Sequence, residues 1–309
     1  MKPRHLLLPL VVASALSSPS IARAEDPDKV EWSESWHRAR LWEGLDILAM
    51  GLGSELENVA WPAPNHAAWK GGILFDNAVR KLLVGHTYSL QNTSEIMTDD
   101  FMLGSMAAPF LIDVYMVALG VHQNADVAGQ MFLIDGQSLA LTGILSITAE
   151  HAVGRSRPYV PDCGADGKVR SASGEVLLNS CVGNSFANNQ SFYSGHSAIT
   201  ATMAGLTCIH HEHMPLYGGG VADLAPCLFM ITLSATTGVF RLVADKHWAS
   251  DVVIGWSIGA LSGYVLPAFL HYGFGHGRPL GEMHVGTATI VPMPQVYAGG
   301  GGIGATGTW

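Results

Sequence analysis

Apolar residues are unevenly distributed along this 309-residue chain. From about position 99 onward they dominate five long stretches, at 101–121, 127–149, 196–209, 224–240 and 252–270, which are read as five helices. The part before them is mixed. Trp32, Trp36 and Trp42 recur near helical spacing, and 75–83 is an amphipathic segment, so 25–95 is expected to be a helical extension packed over the core. Tryptophans at such spacing are more often ordinary packing residues than membrane anchors. The tail, 273–309, alternates weakly through Thr287, Ala288, Thr289, Ile290 and Val291 and ends near four consecutive glycines, which suits either a small β-hairpin or a flexible tail. The expected fold is therefore all-α, a helical bundle over 96–272 with at most a C-terminal hairpin added.

Residues 1–24 have the form of a cleavable export signal: Lys2 and Arg4, an apolar run from Leu6 to Leu16, then Ala22-Arg23-Ala24 ahead of Glu25. The run is shorter than the roughly 20 apolar residues of a membrane anchor. Cleavage after Ala24 would remove Lys2, Arg4 and Arg23 and no acid, taking the net charge from −9 to −12. An acidic exported protein is a poor ligand for nucleic acid. All four cysteines lie after position 160. In an oxidising compartment Cys163 and Cys181 would close a loop as a disulfide, and the same is expected of Cys208 and Cys227, with buried thiols as the alternative for the second pair.

Two of the five helices carry a carboxylate near their middle, Asp113 and Asp135, and each costs about 3 kcal/mol at mid-membrane on insertion scales. The connectors around His122 and at 210–223 also lack Lys and Arg, against the positive-inside rule. The sequence thus favours a compact periplasmic or secreted helical domain, with a membrane-associated or integral form as the alternative. Asp99, Asp100, Asp113 and Asp135 are expected to cap helices or to satisfy buried polar groups. His210-His211-Glu212-His213 has the look of a metal box, yet no second shell or fourth ligand is visible, and exposed histidines at a helix end are the plainer reading, so no metal is expected.

The chemistry concentrates in three places. Arg241-x5-His247-x3-Asp251 combines a guanidinium fork for phosphate oxygens, an imidazole, and a carboxylate that would share a helix face with it and hold one ring nitrogen as N–H. Phe192-Tyr193-Ser194-Gly195-His196-Ser197 sets a hydroxyl and a glycine at a helix start, where unsatisfied N–H groups suit an oxyanion and where His196 could protonate a leaving oxygen. Gly154-Arg155-Ser156-Arg157-Pro158 adds two more cations. Ser194 is not placed to act as a triad nucleophile with His196, because residues two apart do not face each other on a helix.

These three motifs, in this order, resemble the phosphatidic acid phosphatase type 2 / vanadium haloperoxidase superfamily over roughly 96–272. The resemblance implies that His247 is the nucleophile that becomes phosphohistidine, that Asp251 orients it, that His196 is the general acid, and that Arg157, Arg241, Ser194 and Gly195 bind the phosphate. The chain departs from the family pattern at Glu150, where the family has the lysine of Lys-x6-Arg-Pro, and at Tyr193 and Phe240, where it favours proline and serine. Glu150 is expected to turn away and pair with Arg155 or His151, while Arg155 and Lys246 are the candidate replacement cations.

The reading is an exported, metal-independent phosphatase acting on phosphate monoesters, lipid phosphates or lipid diphosphates, with no cofactor and with vanadate as an inhibitor. Two alternatives stay open. The same scaffold could hold vanadate as a cofactor and oxidise halide, or Glu150 could mark a catalytically impaired member.

Overall fold

A computed structural model describes residues 29–179, 181, 186–277, 280–281, 283–285, 288–297 and 300–308. The expected export signal lies outside the described residues. Among these residues seven α-helices follow one another: α1 (Leu41–Ala60), α2 (Asp76–Leu83), α3 (Tyr88–Ala107), α4 (Ala125–Val153), α5 (Gly195–His213), α6 (Gly220–Val243) and α7 (Ala249–Ala260). The helix of α3 runs on through Ala108–Val121, where the turns widen and His122 N–H reaches the Val117 carbonyl five residues back, at 2.9 Å. The helix of α7 likewise continues to Tyr272. A short hairpin, β1 (Val169–Arg170) with β2 (Val176–Leu178), sits between α4 and α5. The tail forms an antiparallel sheet in the order β3 (Met283–Val285), β4 (Ala288–Tyr297), β5 (Gly300–Thr308), one strand more than the hairpin expected. The boundary expected at 95/96 falls inside α3.

α5 is the axis of the bundle, and its sequence explains why. It is built largely of Ser, Ala, Thr and Gly, which allow other backbones to approach closely, and almost all of it is buried. α7 packs on it through Gly255, Gly259 and Gly263, at four-residue spacing. A Cβ on Gly259 would lie 2.2 Å from the Ala198 carbonyl oxygen, and one on Gly263 would lie 2.0 Å from that of Thr202. α1 runs parallel to α4, with Gly44 near Leu133 and Gly53 near Ile144. Trp32 and Trp36 pack on Tyr272, with ring centroids 5.3 and 5.0 Å away, whereas Trp42 is exposed. Both disulfides are formed; Cys163–Cys181 closes the loop around the β1–β2 hairpin and Cys208–Cys227 ties α5 to α6.

The carboxylates that weighed against membrane helices turn inward. Asp135 is fully buried and accepts from His210 Nε2 at 2.7 Å, while His210 Nδ1 lies 2.7 Å from the Tyr272 hydroxyl. Asp113 accepts from the Tyr217 hydroxyl at 2.8 Å and faces His211, whose Nδ1 is 2.5 Å from Asp223. His210 and His211 of the supposed metal box are thus interior partners of carboxylates, and His213 Nδ1 meets the Ile209 carbonyl at 2.8 Å, so none of the three is an exposed helix end. They are buried because they lie on α5, which other helices surround.

Among the described residues, four helices are long and apolar enough to cross a membrane: Tyr88–Val121, Ala125–Val153, Gly220–Val243 and Ala249–Tyr272. Their outward faces expose Leu103, Leu111, Tyr115, Phe132, Phe229, Leu261 and Phe269. Soluble monomers rarely expose apolar faces of this kind, which mark contact with a membrane or with another protein. This shifts the balance away from the soluble domain favoured by sequence, because the charges that argued for it sit inside the bundle.

Removing one partner of the buried pair should be costly. His210→Ala, which strands Asp135, is expected to destabilise the bundle by about 3–5 kcal/mol, and His210→Leu with Asp135→Leu should recover much of that loss. Unfolding in detergent, followed by circular dichroism, checks both.

Candidate active site

α6 ends at Val243, and the chain reverses through residues 244–248 before α7 begins. His247 sits in that loop, only 3% exposed. Its Nδ1 lies 2.7 Å from the Ser191 carbonyl oxygen, a contact that only an N–H can make, so Nε2 carries the lone pair. Nε2 has an Arg241 Nη2 donor 3.4 Å away. Burial, then the charges of Arg241 and Arg157, push the imidazole well below its usual pKa, so it is neutral and nucleophilic at pH 7.

Asp251 does not touch that ring. The i, i+4 argument needs both residues in one helix, and His247 precedes α7, whose first residue is Ala249. Asp251 instead caps α7 by accepting from Trp248 N–H at 2.9 Å, and it accepts from the Ser191 hydroxyl at 2.6 Å. It therefore reaches His247 through Ser191, whose hydroxyl it holds while the Ser191 carbonyl holds the ring. No motif in the sequence singles out Ser191.

Arg241, in the last turn of α6, is 4% exposed. It donates from Nη1 to Thr98 Oγ1 at 3.2 Å, and its buried Nε–H has no hydrogen-bond partner among the described residues. Arg157 donates Nε–H to the Ala187 carbonyl at 2.6 Å and Nη1–H to that of Lys246 at 3.3 Å, and its other donors are unspent among the described residues. Lys246 pairs with Glu95 at 2.7 Å; burial first, and the two arginines after it, lower its pKa. Arg155, by contrast, cannot serve as a replacement cation. It is fully buried, and all five of its N–H groups are used: on Gly71 O twice, on Ser250 Oγ, on Asp76 and on Asp251.

At the start of α5, Ser194 is the N-cap and its hydroxyl oxygen accepts from the Ser197 hydroxyl at 2.9 Å, leaving its own O–H to donate. Gly195 is needed for close packing, because a Cβ there would come 2.9 Å from Ser146 Oγ. His196, in the first turn, faces Asp99 of α3, with Nε2 2.7 Å from Oδ1. Asp99, expected only to cap or to fill a polar niche, is thus a partner of the proposed acid. Only the packing of α3 on α5 brings the two together.

Glu150 does not pair as expected. Arg155 has no donor to spare, and among the described residues no ion pair joins Glu150 to Arg155 or His151. Its Oε1 lies 4.0 Å from where a Cβ on Gly195 would sit, so the carboxylate faces the site. Glu150→Gln should therefore lower KM for a dianionic substrate severalfold, and the gain should shrink as salt rises. An unchanged KM with a reduced melting temperature would instead give Glu150 a purely structural role.

Burial first, and then the Arg241 charge, lower the empty-site pKa of His196 to about 4, against the upward pull of Asp99. A bound phosphate dianion would reverse that field and favour the imidazolium. Because Asp99 stabilises the protonated ring, Asp99→Asn should make the ring lose its proton at lower pH. The alkaline limb of kcat for an alkyl phosphate should then move to lower pH, with little change for an aryl phosphate; a pH–rate profile on both substrates checks this.

The comparisons with known proteins agree with this geometry. The PAP2 superfamily model matches residues 132–274. A lipid A 1-phosphatase of Porphyromonas gingivalis is 27% identical over 162 residues, which make up 52% of this chain and 28% of that protein, so the chain spans less than a third of this relative's length. No solved structure matches. His247, His196, Asp251, Arg157, Arg241 and Glu150 all fall inside the segment that resembles the PAP2 superfamily, which runs from within α4 to just past the helix that continues α7.

Proposed function

We propose that the protein is a membrane-embedded phosphatase that hydrolyses lipid phosphates or diphosphates through a phosphohistidine. The observation that carries this reading is a buried, neutral His247 whose free Nε2 lies beside Arg241 and Arg157, two guanidiniums with unspent donors, at one end of a bundle with apolar flanks. The substrate class in the relative's name supports a phosphorylated lipid. The Cys163–Cys181 disulfide, at the site end of the bundle, supports an oxidising compartment on that side, as the expected export signal does.

In the first step the Nε2 lone pair attacks phosphorus in line while the bond to the ester oxygen breaks and His196 gives that oxygen its proton. In the second, neutral His196 takes a proton from water, whose oxygen attacks phosphorus and returns the electron pair to His247. Arg157, Arg241 and the N–H groups at the start of α5 meet the charge on the equatorial oxygens of the loose transition state, a task that elsewhere falls to a metal ion. Two displacements give net retention at phosphorus.

Release of inorganic phosphate from a lipid phosphate, a lipid diphosphate and an aryl phosphate tests this. His247→Ala should abolish it, and His196→Ala should slow the alkyl esters by about 10²–10⁴-fold while sparing the aryl ester. Chelators should leave turnover intact and vanadate should inhibit it. Restoration by zinc or magnesium after chelation, equal losses on aryl and alkyl esters, or vanadate-dependent bromide oxidation in place of phosphate release would each overturn it.

A further inference from the structure

The segment that braces the nucleophile comes from outside the matched domain. α2 lies well upstream of residue 132, yet it places two charged side chains on the two ends of the loop that carries His247. At one end, Asp76 is fully buried. Its Oδ1 accepts from Ser250 N–H at 2.7 Å, and its Oδ2 accepts from the Ser250 hydroxyl at 2.8 Å and from Arg155 Nη2 at 2.7 Å. At the other end, Arg80 grips Asp245 with two bonds, Nε to Oδ1 at 2.7 Å and Nη2 to Oδ2 at 2.6 Å. Asp245 has φ +58°, in the left-handed region that a non-glycine residue occupies only when its surroundings hold it there. Just past α2, Gly85 N–H bonds to the Val243 carbonyl at 2.9 Å, fixing the point where the chain leaves α6.

A continuous path links these contacts to the reacting atom. Asp76 holds Arg155, Arg155 holds Asp251, Asp251 takes the Ser191 hydroxyl, and the Ser191 carbonyl takes Nδ1–H of His247. Neither Asp76 nor Arg80 contacts the imidazole, so any effect on chemistry must act through its position.

We infer that α2 is a brace that sets the attack geometry of His247, with Asp76 and Arg80 as positioning residues. The inference rests on the phosphatase reading. A nucleophile displaced by a fraction of an ångström still leaves the arginines free to bind phosphate. Phosphate affinity and KM should therefore survive, whereas kcat and the affinity for vanadate, which must bond to Nε2, should fall.

The experiment compares the full-length protein with Asp76→Asn and Arg80→Gln, each purified in detergent with its folded fraction measured. It reads kcat and KM on the aryl phosphate and the inhibition constants of vanadate and inorganic phosphate. Both variants should lose about tenfold to a hundredfold in kcat and raise the vanadate constant comparably, with KM and the phosphate constant within a factor of about two. Arg80→Lys, which keeps the charge but not the paired bonds, should fall between Arg80→Gln and the parent. Arg80 is partly exposed, so its variants remain informative if Asp76→Asn folds poorly. An active parent whose variants keep the ratio of the vanadate to the phosphate constant, with kcat falling only with the folded fraction, overturns the brace alone. A parent that neither releases phosphate nor binds vanadate overturns the phosphatase reading and the brace with it.

Discussion

Burying Arg155 between Asp76 and Asp251 constrains everything around it. A guanidinium taken out of water is tolerable only if each of its five N–H groups finds an acceptor and its charge is matched. Here the acceptors come from two distant parts of the chain: Gly71 and Asp76 before the bundle, and Ser250 and Asp251 at the start of α7. The rings of Trp69, 4.0 Å away, and Trp248, 5.4 Å away, cover its faces. The strength of such a group is also its demand. Arg155 cannot bind phosphate because releasing any one acceptor would leave a buried charge unmatched, and the loop that carries His247 is located by the residues that satisfy it.

The two ends of α5 solve opposite problems. At its first turn the site leaves donors unspent around a neutral imidazole, and an anion is what completes it. Fourteen residues on, roughly 21 Å along the helix, His210 and His211 meet carboxylates from the neighbouring helices and every charge has a partner nearby. Among the described residues, the His196 end keeps unpaired arginine donors, whereas carboxylates face the histidines at the far end. A bundle whose flanks are apolar can hold these charges only along its axis, which is why the small residues of α5, and the glycines of α7 that pack on it, matter as much as the charged ones.

Glu150 has meaning only against this background. It lies with its carboxylate toward the site, and nothing among the described residues neutralises it by direct pairing. The cation expected to compensate, Arg155, is committed elsewhere, which leaves Lys246, itself tied to Glu95. In the proposed mechanism, charge balance at a bound phosphate thus falls to Arg157 and Arg241.

The sequence by itself determined the all-α class and the helices of the bundle core, because runs of apolar residues this long can satisfy their backbone only as helices. It also determined the order of His196, Arg241 and His247 at helix ends, since Ser-Gly-His and Arg-x5-His-x3-Asp carry their chemistry in local spacing, and it pointed to both cysteine pairs through the compartment that an export signal implies. Only the tertiary structure decided who touches whom across the chain. His247 is oriented by Ser191, Asp99 comes from α3 to meet His196, and Asp76 and Arg80 reach the catalytic loop from about 165 to 174 positions away. Asp113 and Asp135, which in sequence looked like obstacles to membrane helices, turn out to face histidines on the central helix. In each case the reason is the same. Local spacing sets which face of an element a side chain occupies, but a charge is settled by the partner opposite it, and that partner is chosen by packing between segments far apart in sequence.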